Sequence, residues 1–279
     1  MRNNKKYGRM WAAGALLTLA VSFHSLGAYG PGMEETVEQT DVQTETSEPK
    51  PGEGSRAAEE QTERTASFEV ERFILPETAR LLVVVEGTGG SGCMVYAYAR
   101  SEAGAWRLRV ETPGYLGNKG MSSSRTEGDK TTPIGLFQLN TPFGQAEQLE
   151  GFPESYLQVS EDYVWSDAEN RLVVNPAEQG EHVGTADYSE YYDYCLDMGY
   201  NRNAFPKKGS ALFLHCFGHN RTETSGCVSI AREQMVEILR LYGTCGDGNG
   251  YIALAPAGTF SYVYDSYGAN NGLSPEGEF

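Results

Sequence analysis

From about residue 68 onward the chain is written in short apolar runs cut apart by glycine-bearing turns, and that texture constrains the fold more than anything else in it. Such runs are too short to bury the face of a helix and about the length of a strand. Residues 81–86, 94–100 and 106–111 read as strands, with turns at 87–92 and 101–104, and further strands are expected at 134–139, 171–175, 210–215, 251–255 and 260–264. One helix is predicted over residues 231–242. Met235, Ile238, Leu239 and Tyr242 recur there at helical spacing, with Ser229 as the expected N-cap and Gly243 as the expected stop. Many strands against one helix predict a single mainly β or α+β domain over residues 67–279, with no internal repeat.

The front of the chain is different in kind. Residues 1–30 carry Arg2, Lys5, Lys6 and Arg9 and no acidic residue, followed by an apolar run from Met10 to Phe23 and small residues at Ser25, Gly27 and Ala28. That is the layout of a secretory signal, expected to be cleaved near Gly27 or Ala28, with an uncleaved N-terminal anchor over residues 1–28 as the alternative. Residues 29–66 form an acidic stretch whose composition cannot bury enough apolar surface to offset its ordering entropy, so a disordered linker is expected. Lys and Arg total 22 against 38 Asp and Glu, a net charge of −16, which disfavours a nucleic-acid partner.

Chemistry enters with the cysteines. Cys93, Cys195, Cys216, Cys227 and Cys245 are odd in number, so in an exported chain at least one thiol is left over, and the other four allow three pairings or none. Two histidines, His215 and His219, lie close to Cys216 and Cys227, whereas His182 sits in a polar stretch that reads as a solvated loop. The apolar residues 211–214 read as a buried strand delivering His215 to its end, and Cys227 returns behind Gly226 after a polar loop. A cysteine needs a base to become a thiolate, and a preceding glycine lets backbone N–H groups turn toward a developing oxyanion. A zinc site from Cys216, His219, His215 and Cys227 is disfavoured, because neighbours 215 and 216 on a strand point to opposite faces. The glycine-rich Gly246 to Gly250 lacks the later carboxylates of a calcium loop and reads as a turn.

These residues resemble a known family. The stretch from His215 to Ile230, ending Ser225-Gly226-Cys227-Val228, is similar to the signature of the L,D-transpeptidase catalytic domain, the YkuD family. Gly117-Asn118-Lys119-Gly120-Met121 followed by Glu127-Gly128-Asp129-Lys130-Thr131-Thr132-Pro133-Ile134-Gly135-Leu136-Phe137 resembles that family's upstream segment. Between them Tyr156, Trp165, Asp167, Tyr200, Asn201, Gly209 and Ser210 resemble the branch that carries a "GSAIFxH" run.

The resemblance implies a YkuD-like β-sandwich of two packed mixed sheets with one main helix after the catalytic cysteine. It implies a cell-wall enzyme, acting outside the cytoplasm as a monomer on peptidoglycan stem peptides, with no cofactor and with membrane contact only through a retained N-terminal segment. Cys227 is then the nucleophile, His215 the base oriented by a backbone carbonyl, most simply that of Cys216, and the N–H groups of Gly226 and Cys227 the oxyanion hole. Ser225, His219 and Arg221 are the candidate substrate-binding residues, and His219 is the alternative base. Aminolysis of the acyl-enzyme makes a cross-link and hydrolysis makes an L,D-carboxypeptidase. A caspase-like peptidase and a catalytically silent wall-binding module are the readings from other classes. The chain departs from the family pattern in lacking an Arg two places after the cysteine, where Ser229 stands; Arg221 and Arg232 are the nearest cations in sequence.

Overall fold

A computed structural model of the chain describes residues 68–219 and 223–267. The expected signal or anchor over residues 1–28, the linker expected over residues 29–66, and Arg221 lie outside the described residues. Among the described residues no helix is long and apolar enough to cross a membrane.

The described fold is mainly β with one α-helix. In chain order the strands are β1 (Leu81–Gly89), β2 (Gly92–Arg100), β3 (Trp106–Tyr115), β4 (Met121–Ser122), β5 (Thr132–Pro133), β6 (Gly135–Gln138), β7 (Pro142–Gly144) and β8 (Leu157–Gln158). They continue with β9 (Tyr163–Ser166), β10 (Arg171–Val174), β11 (Gly180–Glu181), β12 (Cys195–Asp197), β13 (Phe213–Cys216) and β14 (Val228–Ile230), then helix α1 (Arg232–Cys245) and β15 (Gly250–Pro256). Ten strands form one mixed sheet in the order β6, β15, β1, β2, β3, β14, β13, β12, β7, β8. Strand β9 sits between β10 and β11 in a second sheet, and β4 pairs with β5. Hydrogen bonding thus runs unbroken through the large sheet, where the family resemblance implied two packed sheets.

The continuous apolar run at β1 follows from burial on both faces. Leu81, Val83 and Val85 enter the main core, while Leu82 and Val84 enter a second cluster with Val70, Phe73, Phe260 and Val263. Each fully buried side chain of this size contributes about 1.5–3 kcal/mol. The main core also takes Phe143 of β7, Trp165 of β9, Phe213 and Leu214 of β13 and Met235, Ile238 and Leu239 of α1, so the sheet curls around one interior.

Three expectations about elements are corrected. Residues 260–264 do not form a strand: Phe260–Tyr262 is a 3-10 turn. Its buried residues, Phe260 and Val263, are three apart instead of two, and Phe260 meets the edges of Phe68 and Phe73. Helix α1 runs through Gly243 to Cys245, and Ser229 lies in β14, leaving Ala231 as a cap with no side-chain bond. The strand expected over residues 210–215 begins only at Phe213, because Ala211 has a left-handed backbone with φ of 52° and breaks the run.

Candidate active site

Strand β13 pairs in parallel with β14, with Leu214 opposite Val228 and His215 opposite Ser229. One step before Val228, Cys227 falls beside Phe213, two residues from His215 and on the same face of the strand. Both side chains line a cavity of about 600 Å³ whose wall also includes Ser225, Ser229, Arg125, Glu181 and Tyr192.

His215 is 5% exposed. Its Nδ1 is 2.8 Å from the carbonyl oxygen of Cys216, which can only accept, so Nδ1 carries the proton and Nε2 holds the lone pair of the neutral ring. The ring also meets Tyr192 edge-on at 5.3 Å between centroids. Burial pushes the imidazole down to about 4, with hydrogen bonding to the backbone of Cys216 and of Tyr191 pulling the other way. Near neutral pH the group is therefore an uncharged base.

Cys227 is 8% exposed and its thiol is pushed up to about 12, first by burial and then by the charge of Glu181, while the Phe213 N–H and Arg125 act in the opposite sense. The Phe213 N–H donates to Sγ at 3.3 Å, and the thiol donates to the carbonyl of Ala211 at 3.4 Å. The left-handed turn at Ala211, whose N–H donates to Asn170 Oδ1, aims that carbonyl at the sulfur. In the resting site the pair is thus neutral thiol and neutral imidazole, and the thiol proton has to move as the sulfur attacks.

The two sequence motifs meet at the turn that carries the cysteine. Thr224 accepts from the Gly226 N–H at 3.0 Å through Oγ1 and donates from the same oxygen to the Cys227 carbonyl at 2.7 Å. Gly117 bridges to Thr224, the Asn118 N–H donates to the Thr224 carbonyl, and Asn118 Nδ2 donates to Glu223 Oε1. Thr132, which accepts from the Gly117 N–H, reaches the Cys227 carbonyl at 3.5 Å. Residues 117–132 therefore hold the glycine–cysteine turn against the cavity. The Gly226 N–H, expected to face an oxyanion, is engaged by Thr224 in this arrangement.

Arg125 completes the wall and was not singled out by the sequence. Its side chain is 3% exposed, its guanidinium donates to the Thr131 carbonyl and lies 3.5 Å from Asp129 Oδ1, and its Nε is buried with no partner. It packs against the backbone of Gly209 and Gly226. A cation thus stands beside the cysteine turn although Ser229, not an Arg, stands two places after the cysteine in sequence. The available signal was position: Arg125 is the one cation between Lys119 and Lys130, inside the upstream segment.

The remaining candidates separate. Ser225 lines the cavity. His219 does not; its side chain is 62% exposed, with Nδ1 3.1 Å from Glu190 Oε2, and its ring meets Tyr191 at 5.5 Å. Arg232 is turned to Asp193 at 2.8 Å and over the Tyr194 ring. Cys216 faces away from the cavity, where its thiol donates to the Tyr194 carbonyl, and all five cysteines are free thiols. Among the described residues no group of three His, Cys, Asp or Glu side chains is arranged to hold a metal ion.

The cavity is acidic: Glu127, Asp167, Glu181, Asp187 and Glu223 face Arg125 and Lys130. Asp167 and Glu127 are occupied in fixing Ser210, whose hydroxyl donates to Asp167 Oδ1 at 2.7 Å and whose N–H donates to Glu127 Oε2 at 3.1 Å. Glu181 is held by the Tyr192 hydroxyl, and burial pushes its carboxyl up to about 7. Comparison of the chain with protein-family models, with curated proteins and with solved structures found no match.

Proposed function

We propose that the chain is a cysteine acyltransferase of the L,D-transpeptidase type, acting on peptidoglycan stem peptides outside the cytoplasmic membrane. The observation that carries this reading is the junction of the two motifs: residues 117–132 are bonded onto the Gly226–Cys227 turn, on the wall of the cavity that also receives His215. The finer expectation of a YkuD-type fold belongs to the same proposal.

In the first half-reaction the sulfur of Cys227 attacks the carbonyl between the third-position diamino acid and the terminal D-Ala. The thiol proton passes to Nε2 of His215 and then to the departing amine, so the C–N bond breaks as a thioester forms. The Cys216 carbonyl holds the ring in the tautomer this needs. The Cys227 N–H is the oxyanion donor in this scheme, joined by the Gly226 N–H once Thr224 releases it, and each well-placed donor supplies about 3 kcal/mol. Ser225 on the cavity wall is assigned to substrate contact.

The test is the intact mass of the reduced, full chain after incubation with a carbapenem. A single adduct is expected, absent in Cys227→Ala, nearly absent in His215→Ala and retained in His219→Ala. No adduct on folded wild-type protein would overturn the reading and favour a wall-binding module.

A further inference from the structure

We infer that Glu181 is the acceptor-side residue of this cavity, binding the ammonium group of an incoming diamino-acid side chain and taking its proton, so that the acyl-enzyme is resolved by amine and not by water. This rests on the acyltransferase reading above.

Glu181 works against the first half-reaction. A buried carboxylate near the thiol disfavours the thiolate, and Glu181 is the charged group that most raises Cys227. A site that needed only to be acylated gains nothing from it. Once the sulfur has become a neutral thioester the penalty is gone, and the carboxylate faces a cavity whose next ligand, in this scheme, is a cation.

The position is built. Glu181 is fixed on β11 by pairing with Trp165, its Oε1 accepts from the Tyr192 hydroxyl, and the Tyr192 ring lies between Tyr188, stacked at 4.6 Å, and His215. The charged and titratable groups that act on it are Tyr192, Asp167 and Glu127, with Tyr188, Cys195 and Cys227 coupled to it in turn. An independent observation points the same way: Ser229 Oγ, on the same cavity wall and 2% exposed, has no hydrogen-bond partner. An ammonium brings three donors, and a cavity wall that carries both an unmet buried oxygen and a carboxylate suits it. The unpartnered Arg125 Nε is a donor and suits the peptide's carbonyl or carboxylate oxygens instead.

The step balances as follows. The Glu181 carboxylate takes one proton from the ammonium, and the neutral amine attacks the thioester carbonyl, forming the C–N bond. A second nitrogen proton passes to His215 and from there to the departing Cys227 sulfur as the C–S bond breaks. The proton on Glu181 returns to solvent when the cross-linked product leaves.

The experiment uses the full chain, its Glu181→Gln variant and synthetic tetrapeptide stems with either meso-diaminopimelate or L-lysine at the third position, products being separated by mass. Wild type is expected to yield cross-linked dimer, with the ratio of dimer to hydrolysed tripeptide rising through about pH 7 as Glu181 ionises. Glu181→Gln is expected to take the carbapenem adduct at Cys227 at least as readily, which also reports that it is folded, while the dimer-to-tripeptide ratio falls about 100-fold and loses its pH dependence. An unchanged ratio in an acylated variant overturns the acceptor assignment alone. Loss of the adduct in the variant overturns it as well, because Glu181 would then be needed before any acceptor arrives. A wild-type chain that takes no adduct overturns the acyltransferase reading itself.

Discussion

The guanidinium of Arg125 occupies the space that a β-carbon on Gly226 would need: a Cβ there would lie 2.5 Å from Nη1, 2.9 Å from the Thr131 carbonyl oxygen and 3.0 Å from Leu212 Cδ2. Gly226 also has φ of 143°, in the region that side chains resist. Gly226→Ala is therefore expected to displace the turn that carries Cys227 and to cost about 2 kcal/mol or more, a drop of roughly 5 °C in melting temperature. Calorimetry beside the carbapenem adduct assay checks it. Unchanged melting would mean that Arg125 leaves its place without penalty.

Arg125 should matter through its charge as well as its bulk. Arg125→Met keeps much of the side-chain volume, removes the donor to Thr131 and takes a cation away from the Cys227 turn. Stability should fall by about 1–3 kcal/mol as the buried carbonyl loses its partner. The pH profile of Cys227 alkylation by iodoacetamide should also move to higher pH. Arg125→Lys should restore part of the profile, because the charge returns without the planar fork. A profile that stays put in both variants would reduce Arg125 to a packing role.

The base should remain competent in acid. Burial lowers His215 to about 4, below the ordinary value near 6.5, so the ring is neutral throughout the range above about pH 4. Carbapenem acylation is expected to lose rate only as pH falls toward about 4, with no loss of rate near 6.5. Linkage sets the sign for stability: between 6.5 and about 4 the unfolded chain binds the proton and the folded chain does not. His215 therefore costs stability progressively as pH falls through that window, and nothing above it. His215→Gln should be less sensitive to acid than wild type in that window, measured by thermal melts at pH 4.5 and 7.

How much of this was legible in the sequence depends on length scale. The run at β1 was readable because alternate residues feed two cores, leaving no polar position to confuse the period. Strands β7, β12 and β14 were not, being only three residues long and paired across distant chain segments. The cysteine and histidine were found through the family-like motif of residues 215–230, which is local in sequence, and β13 with the turn before β14 places both on one cavity wall. Arg125 and Glu181 escaped because their roles exist only after the upstream segment and the small sheet have docked. Ser229 was read as a helix cap from its offset, yet its neighbours Val228 and Ile230 pull it into a buried strand.

Gly243 gives a prediction in which local propensity and tertiary packing have opposite signs. The residue lies inside α1, where alanine is favoured over glycine by about 1 kcal/mol in an isolated helix. Here a β-carbon would meet backbone on the facing segment, 2.5 Å from the Gly151 carbonyl oxygen, 2.8 Å from the Phe152 carbonyl carbon and 2.8 Å from the Pro153 nitrogen. Side chains yield to such contacts more readily than backbone, so the helix has to back away from residues 151–153 and loosen the packing of Phe152 on Tyr156 and Tyr194. Gly243→Ala is therefore expected to destabilise by about 1–3 kcal/mol despite the gain in helix propensity. Acylation of Cys227 well below the melting temperature should stay at the wild-type rate, since neither Gly243 nor residues 151–153 line the cavity. A rise in melting temperature would show instead that the segment yields and that helix propensity decides the outcome.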